Sequence, residues 1–200
     1  MVVHKPPRQL VVPAPGRTGR TVVDDVTAQL GNRVFAVHRL DEDVTGVFVL
    51  ATHESAREPL EQMFRGHRAE RLYLALLSRA PSPPAGRIES KLREEPSGLV
   101  RSVEGGSGQK AITEYRTLKR VGHHTLVECR LLTGRRNQIR VHMADLDCPI
   151  VGDRKYGFRS RGRTPFKRLL LHAYTVRFSH PITGEEVFVQ AEPGEKELLP

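Results

Sequence analysis

The sequence predicts an α+β fold: a large mixed, mostly antiparallel sheet with flanking helices and loops around a central cleft. Three observations carry the prediction. Strand-like segments outnumber helix-like ones. The two kinds do not alternate strictly, as a doubly wound fold requires. Three turn-forming stretches, residues 80–86 (APSPPAG), 104–108 (EGGSG) and 157–164 (GFRSRGRT), punctuate the chain more plausibly than they divide it. A single domain over residues 1–200 is expected.

In chain order, residues 33–37 read as a strand, and an acidic turn leads to a second at 47–51. Residues 53–66 place Ala56, Leu60, Met63 and Phe64 on one helical face, with Thr52 as N-cap. Residues 71–77 are nearly all apolar, the pattern of a strand buried on both sides. Residues 111–118 and 125–132 read as a hairpin around Gly122, with Thr125, Val127, Cys129 and Leu131 sharing a face. Residues 137–146 place Ile139, Met143 and Leu146 on one face of a second helix. Residues 169–178 and 186–190 form a last pair across the turn HPITG at 180–184.

Composition narrows the function. The 200 residues are 38% hydrophobic and 28% charged, enough apolar material for one ordinary core. No apolar run approaches the roughly 20 residues that span a bilayer. The polar start, with Lys5, Pro6, Pro7 and Arg8, lacks the apolar stretch of a secretory signal. Two distant cysteines, Cys129 and Cys148, exclude a disulfide framework or a CxxC zinc site, so a reducing, cytoplasmic setting is expected. GGSGQK at 105–110 lacks the Gly-Lys-Ser/Thr ending of a phosphate loop. There is no HExxH metal spacing and no GxSxG elbow.

The net charge is +9, and it is localised: residues 130–170 hold 11 Lys/Arg against 3 Asp/Glu, leaving 21 against 20 elsewhere. A local basic field suits a polyanion, because every neutralised phosphate releases counterions. A merely solvated basic surface is the other reading. An anionic membrane fits less well, because the cations lie in a glycine-containing loop and not on an amphipathic helix.

Four segments stand out. HRLDEDVTG (38–46) lies between two strands, where a loop can present side chains to a cleft. Taken alone it is equally an acidic, solvated turn. LTGRRNQIRVH (132–142) runs from a strand end through a glycine turn into a helix whose first N–H groups can hold a phosphate. An exposed basic helix is the alternative. PIVGDRKYG (149–157) is a loop with two glycines, and LLHA (170–173) leading to HPITGE (180–185) is a strand and a turn.

In this order and wording, the four segments together with RLYLA (71–75) resemble the RluA type of RNA pseudouridine synthase. The likeness covers nearly the whole chain, from His4-Lys5-Pro6 to the strand after Gly184, and His38 before Arg39 separates it from the related RsuA type. The resemblance implies conversion of a uridine in rRNA or tRNA to pseudouridine, without a cofactor or metal. By motif position it implies that Asp41 is the catalytic aspartate, acting at ribose C1′ or at C6 of uracil. It implies that Arg39 fills the space of the flipped-out base and that Tyr73 packs on that base. It further implies that Arg140 pairs with the catalytic carboxylate and that Leu171 is an apolar wall. Flipping a uridine costs a few kcal/mol, which a cationic plug and a stacking ring offset. A guanidinium near the aspartate opposes the rise in pKa that burial brings.

Other readings stay open. Tyr73 sits in an apolar strand and is also compatible with plain core. Glu42 and Asp43 are expected to be solvated, and His142 and His172 to be structural. RNA-backbone contacts are expected from Arg135, Arg136, Arg159, Arg161 and Arg163. Five positions depart from the family's usual pattern: Val44-Thr45 in place of Thr-Ser, Asn137 in place of His, Arg71 in place of Lys, and Arg8 in place of Gly. No S4-like domain is expected, nor an obligate protein partner or a membrane, and a monomer is expected. The alternatives are a non-catalytic RNA-binding protein that keeps the synthase fold, and a basic ribosome-associated structural protein.

Overall fold

Among the described residues, 1–159 and 168–194, the computed structural model has ten strands and three α-helices. In chain order they are β1 (Val2–Lys5), α1 (Val22–Leu30), β2 (Phe35–Ala36), β3 (Thr45–Ala51), α2 (Glu54–Arg65), β4 (Glu70–Leu77), β5 (Ala85–Glu94), β6 (Val100–Val103), β7 (Gln109–Val121), β8 (His124–Leu131), α3 (Gln138–Asp145), β9 (Leu171–Ser179) and β10 (Glu186–Gln190). The α+β expectation holds. None of these helices is long and apolar enough to cross a membrane. The described residues form two compact units: Met1–Arg71 with Ala173–Glu192, and those of Leu72–His172 with Pro193 and Gly194.

In the first unit β3 lies between β1 and β9. Its seven residues, TGVFVLA, are all buried, which explains the lack of polar alternation in the sequence. β1 pairs antiparallel with β3, Lys5 opposite Gly46, and β10 pairs antiparallel with β9, Val189 opposite Val176. Leu60, Met63 and Phe64 of α2 join Val47, Val49, Ala51, Val176 and Phe178 in one apolar cluster. Each such side chain contributes about 1.5–3 kcal/mol on burial.

Two elements here differ from the sequence reading. The N-cap of α2 is His53, not Thr52, and its side chain makes no capping bond. α1 was not anticipated, because VVDDVTAQL offers β-branched residues and little apolar periodicity. Its ends were nonetheless legible. Thr21 Oγ1 accepts from the Asp24 N–H at 3.2 Å, the Asp24 carboxylate accepts from the Thr21 N–H at 2.9 Å, and Gly31 ends the helix at φ 69°.

The second unit orders its strands β4-β8-β7-β5-β6, and each of the pairings β4–β8, β8–β7, β7–β5 and β5–β6 is antiparallel. The β7–β8 hairpin turns at Gly122, as its sequence predicts, with a register irregularity between Thr117 and Lys119. β5 and β6 were not anticipated, and β5 begins at Ala85, inside the stretch read as a proline-rich turn. Val141 of α3 shares an apolar cluster with Leu92, Val100, Ala111 and Tyr156. PIVGD folds against β4: the Val151 N–H donates to the Leu76 carbonyl at 2.8 Å, and the Leu170 N–H donates to the Val151 carbonyl at 2.9 Å. Gly152 is obligatory there. Its φ is 82°, and a Cβ would lie 1.8 Å from the Arg168 carbonyl oxygen.

Candidate active site

The HRLDEDVTG loop is built from beneath by β1 and β3. Lys5 is fully buried at the end of β1. Its ammonium donates to three carbonyl oxygens, those of Pro6 at 2.7 Å, Glu42 at 2.8 Å and Val44 at 2.9 Å. All three of its protons are therefore used, and two of them hold the loop on either side of Asp43. Loss of solvent pushes its pKa down to about 8, while Asp43, Asp41 and Glu42 favour the charged form, so Lys5 is an ammonium at neutral pH. A turn closes above it, the Val44 N–H donating to the Asp41 carbonyl at 3.1 Å.

His38 points inward, the side opposite to a catalytic role. Its ring stacks on Phe64 (4.3 Å between centroids) and lies 4.6 Å from Phe48. Its Nε2 accepts the Val49 N–H at 3.0 Å, which requires the neutral ring. Burial, reinforced by the Arg71 guanidinium, pushes its pKa down to about 3, against a hydrogen bond to the Arg39 backbone. Arg39 is exposed, and Asp41 is partly buried. Glu42 and Asp43 are partly buried as well, and the Glu42 carboxylate is held by Arg17. The loop ends at Gly46, φ 104°, where a Cβ would come 2.1 Å from the Ala173 carbonyl oxygen of β9. Only glycine permits that approach.

At the start of this loop's foundation, Arg8 has φ 60°. This is the position where the resembled family places glycine, and the backbone keeps the left-handed conformation that glycine suits.

The TGRRNQIRVH segment divides its side chains between two tasks. Thr133, Gln138 and His142 hold the strands. Gln138 Oε1 accepts from Thr133 Oγ1 at 2.7 Å and from the Arg135 N–H at 3.0 Å. Its Nε2 donates to the Ile112 carbonyl and to Thr113 Oγ1, both at 2.9 Å, so its amide is fully satisfied. His142 is fully buried between Thr113 Oγ1 (2.8 Å) and Ser90 Oγ (3.0 Å), and burial pushes its pKa down to about 4. It is structural, as the sequence suggested.

Arg140 is caged. Its Nε and Nη2 donate to the two oxygens of Asp153 at 2.7 and 2.9 Å, and its Nη1 donates to Asn137 Oδ1 at 3.1 Å. Its guanidinium carbon lies 5.0 Å from the centroid of the Tyr156 ring. The Tyr156 oxygen accepts from Asn137 Nδ2 at 2.8 Å and from the Val100 N–H at 3.1 Å. Asp153 side-chain exposure is 1% and that of Arg140 is 14%, so this is a buried bidentate ion pair. Asn137 begins the helix at φ 55°, a left-handed conformation that Asn tolerates. Sequence reasoning did not single out Asp153 or Tyr156. The signal available was PIVGDRKYG itself, a carboxylate and a phenol between two glycines.

Tyr73 sits on β4 at 7% exposure, in register with Cys129 of β8, and Leu171 opens β9 at 3% exposure. Arg135 Nε donates to the Lys110 carbonyl at 3.0 Å, and Arg136 pairs with Glu94. Arg159 is exposed, while Arg161 and Arg163 lie outside the described residues.

A family model described as RNA pseudouridylate synthase matches residues 1–145. The chain is 36% identical over 207 residues to ribosomal large subunit pseudouridine synthase D of Xanthomonas campestris, covering 96% of this chain and 62% of that protein. It is 32% identical to the protein of the same name from Zymomonas mobilis, covering all of this chain and 68% of that one. The chain thus spans about two thirds or less of the length of these relatives. Among solved structures, human RNA pseudouridylate synthase domain containing 4 superposes with a TM-score of 0.76 at 26% identity, covering 96% of this chain and 84% of that chain. A family match over residues 1–145, and relatives of 32% and 36% identity that cover 96% or more of the sequence, establish that the chain belongs to the RNA pseudouridylate synthase family.

Proposed function

We propose that the chain isomerises a specific uridine of structured RNA to pseudouridine, with Asp41 as the catalytic aspartate. The observation that carries this reading is the foundation of the Asp41 loop. A fully buried ammonium spends all three protons on backbone oxygens, two of them in that loop. A merely solvated acidic turn has no use for such a foundation, because burying a charge is costly unless something must be held in place.

In this reading Asp41 attacks the flipped-out nucleotide at C1′ or at C6. The N1–C1′ bond breaks, a C5–C1′ bond forms, N1 gains a proton and the C5 hydrogen leaves to solvent. Arg39 takes the place of the flipped base in the stack. Tyr73 lies against the uracil, where stacking is worth roughly 1–3 kcal/mol, and Leu171 supplies an apolar wall. Arg140 presents a guanidinium whose orientation Asp153 and Asn137 fix. Arg135, Arg136 and Arg159 contact phosphates. The names of the Xanthomonas and Zymomonas relatives favour large-subunit ribosomal RNA over tRNA.

The test is tritium release from unmodified RNA carrying 5-tritiated uridine, with ribosomal and transfer RNA supplied separately. Wild-type protein should release tritium, and Asp41→Asn should not, while both bind the RNA. Absence of release by folded wild-type protein that binds the RNA would replace this reading with a non-catalytic RNA-binding one.

A further inference from the structure

Unit two carries a second basic surface on β5, β6 and β7, of which the sequence reading anticipated β7 alone. Along β5 the residues Arg87, Glu89, Lys91 and Arg93 share one face and are exposed. Lys91 stands directly opposite Lys110 of β7, and Arg93 directly opposite Arg101 of β6. All four of these cations are exposed. Like charges directly opposite each other destabilise a sheet, and here two such pairs occupy neighbouring positions on one face. Lys110 is offset by Glu89 at 2.5 Å and Arg101 by Glu95 at 3.0 Å. Among the described residues, Lys91 and Arg93 have no carboxylate partner.

α3 covers the opposite face of these strands, where Val141 packs on Leu92 and Val100. Arg136 reaches Glu94 on that covered side, and Arg135 donates to the backbone carbonyl of Lys110. Among the described residues, the four cations Lys91, Arg93, Arg101 and Lys110 are met on this face by two carboxylates, Glu89 and Glu95. We propose that the exposed face of β5, β6 and β7 around Lys91, Arg93 and Arg101 binds RNA phosphates. The proposal rests on the reading of RNA as substrate. Phosphates supply what the twofold like-charge pairing lacks: anions that lie between neighbouring cations and release counterions when bound.

The test is fluorescence anisotropy with a fluorescein-labelled, unmodified RNA stem-loop at 50, 100 and 200 mM salt. All proteins carry Asp41→Asn, so that no turnover intervenes. The variant Lys91→Ser/Arg93→Ser/Arg101→Ser should bind at least tenfold more weakly at 100 mM salt. The slope of log affinity against log salt should flatten by about 2, at roughly 0.7–0.9 per lost phosphate contact. The charge-preserving variant Lys91→Arg/Arg93→Lys should bind like its parent. A control, Lys119→Ser/Arg120→Ser, removes exposed cations from the end of the β7–β8 hairpin and should stay within twofold. The proposal fails if the triple variant keeps its affinity and slope, or if the hairpin control loses as much. If the parent protein binds no RNA, the RNA reading itself fails with it.

Discussion

Asp153→Asn should be among the most damaging conservative changes in the chain. The substitution keeps the shape of the side chain and removes its charge. In the native protein that charge receives two N–H groups of Arg140 at 2.7 and 2.9 Å, and Oδ1 also accepts the Tyr156 N–H at 3.2 Å. With Asn, one of these oxygens becomes an NH2 that faces a donor. The Arg140 guanidinium, 14% exposed, then faces a neutral amide where a buried carboxylate stood. Breaking a buried pair by removing one member costs about 3–5 kcal/mol. At about 2–4 °C per kcal/mol for a chain of this size, the melting temperature should fall by roughly 6–20 °C. Urea unfolding of wild type, Asp153→Asn, Arg140→Gln and the double variant supplies the full cycle. The double variant should be less destabilised than the sum of the singles by about 2 kcal/mol or more, because both singles disrupt the same bidentate pair. A loss below about 1 kcal/mol in Asp153→Asn, or strict additivity, would refute the caged-arginine account.

Acid should destabilise the protein before its carboxylates titrate. Both His38 and His142 are held neutral, with pKa pushed down to about 3 and about 4, so between pH 6.5 and 4 the unfolded chain binds protons that the folded one refuses. Stability is then full above about pH 6.5 and falls with pH by roughly 1.4 kcal/mol per unit for each ring; urea midpoints at pH 7, 6 and 5 should show it, and His142→Gln should shallow the fall. Gly46→Ala should cost about 2–5 kcal/mol, combining left-handed strain with the collision at Ala173, and a melting temperature unchanged within 2 °C would contradict the packing described. Arg8→Gly should do the reverse, gaining about 1 kcal/mol once glycine's extra unfolded-state freedom is subtracted from the relief at φ 60°; a destabilised variant in urea unfolding would show that the Arg8 side chain matters more than its backbone.

Strands with a strong apolar signal were legible in the sequence, and those without one were not. β3, β4, β8 and β9 are mostly buried, and each was read as a strand, β4 from its apolar run and β8 from residues sharing one face. β5 was missed because its solvent face is a row of charges, although the alternation of Arg87, Glu89, Lys91 and Arg93 with Ile88, Ser90 and Leu92 is the period of a half-buried strand. β1 was missed because its key residue is a lysine, and nothing local announces that an ammonium will be buried under a loop 37 residues away. The same limit applies to the candidate site. Motif order brought out Asp41, Arg39, Tyr73, Arg140 and Leu171, but Asp153 acquires meaning only when a helix and a loop fold its carboxylate onto Arg140.

The discontinuity of the first unit has a consequence for how the chain folds. Residues 1–71 supply β1 and β3, but the strand that lies on the other side of β3 is β9, a hundred residues later. Val176 and Phe178 belong to the apolar cluster of Val47, Val49, Leu60 and Phe64, so that cluster is incomplete until β9 exists. The pairings β4–β8, β8–β7, β7–β5 and β5–β6 of the second unit lie within one continuous stretch of chain. During synthesis it can close first, while one edge of β3 waits unpaired and the loop bearing Asp41 is held on one side only. Long-range pairing of this kind is slow to form, and an unpaired apolar edge is open to association in the interval. The Asp41 loop is thereby among the last parts of the fold to be fixed, and a chain cut short before β9 would retain the HRLDEDVTG motif without the strand on which Gly46 rests.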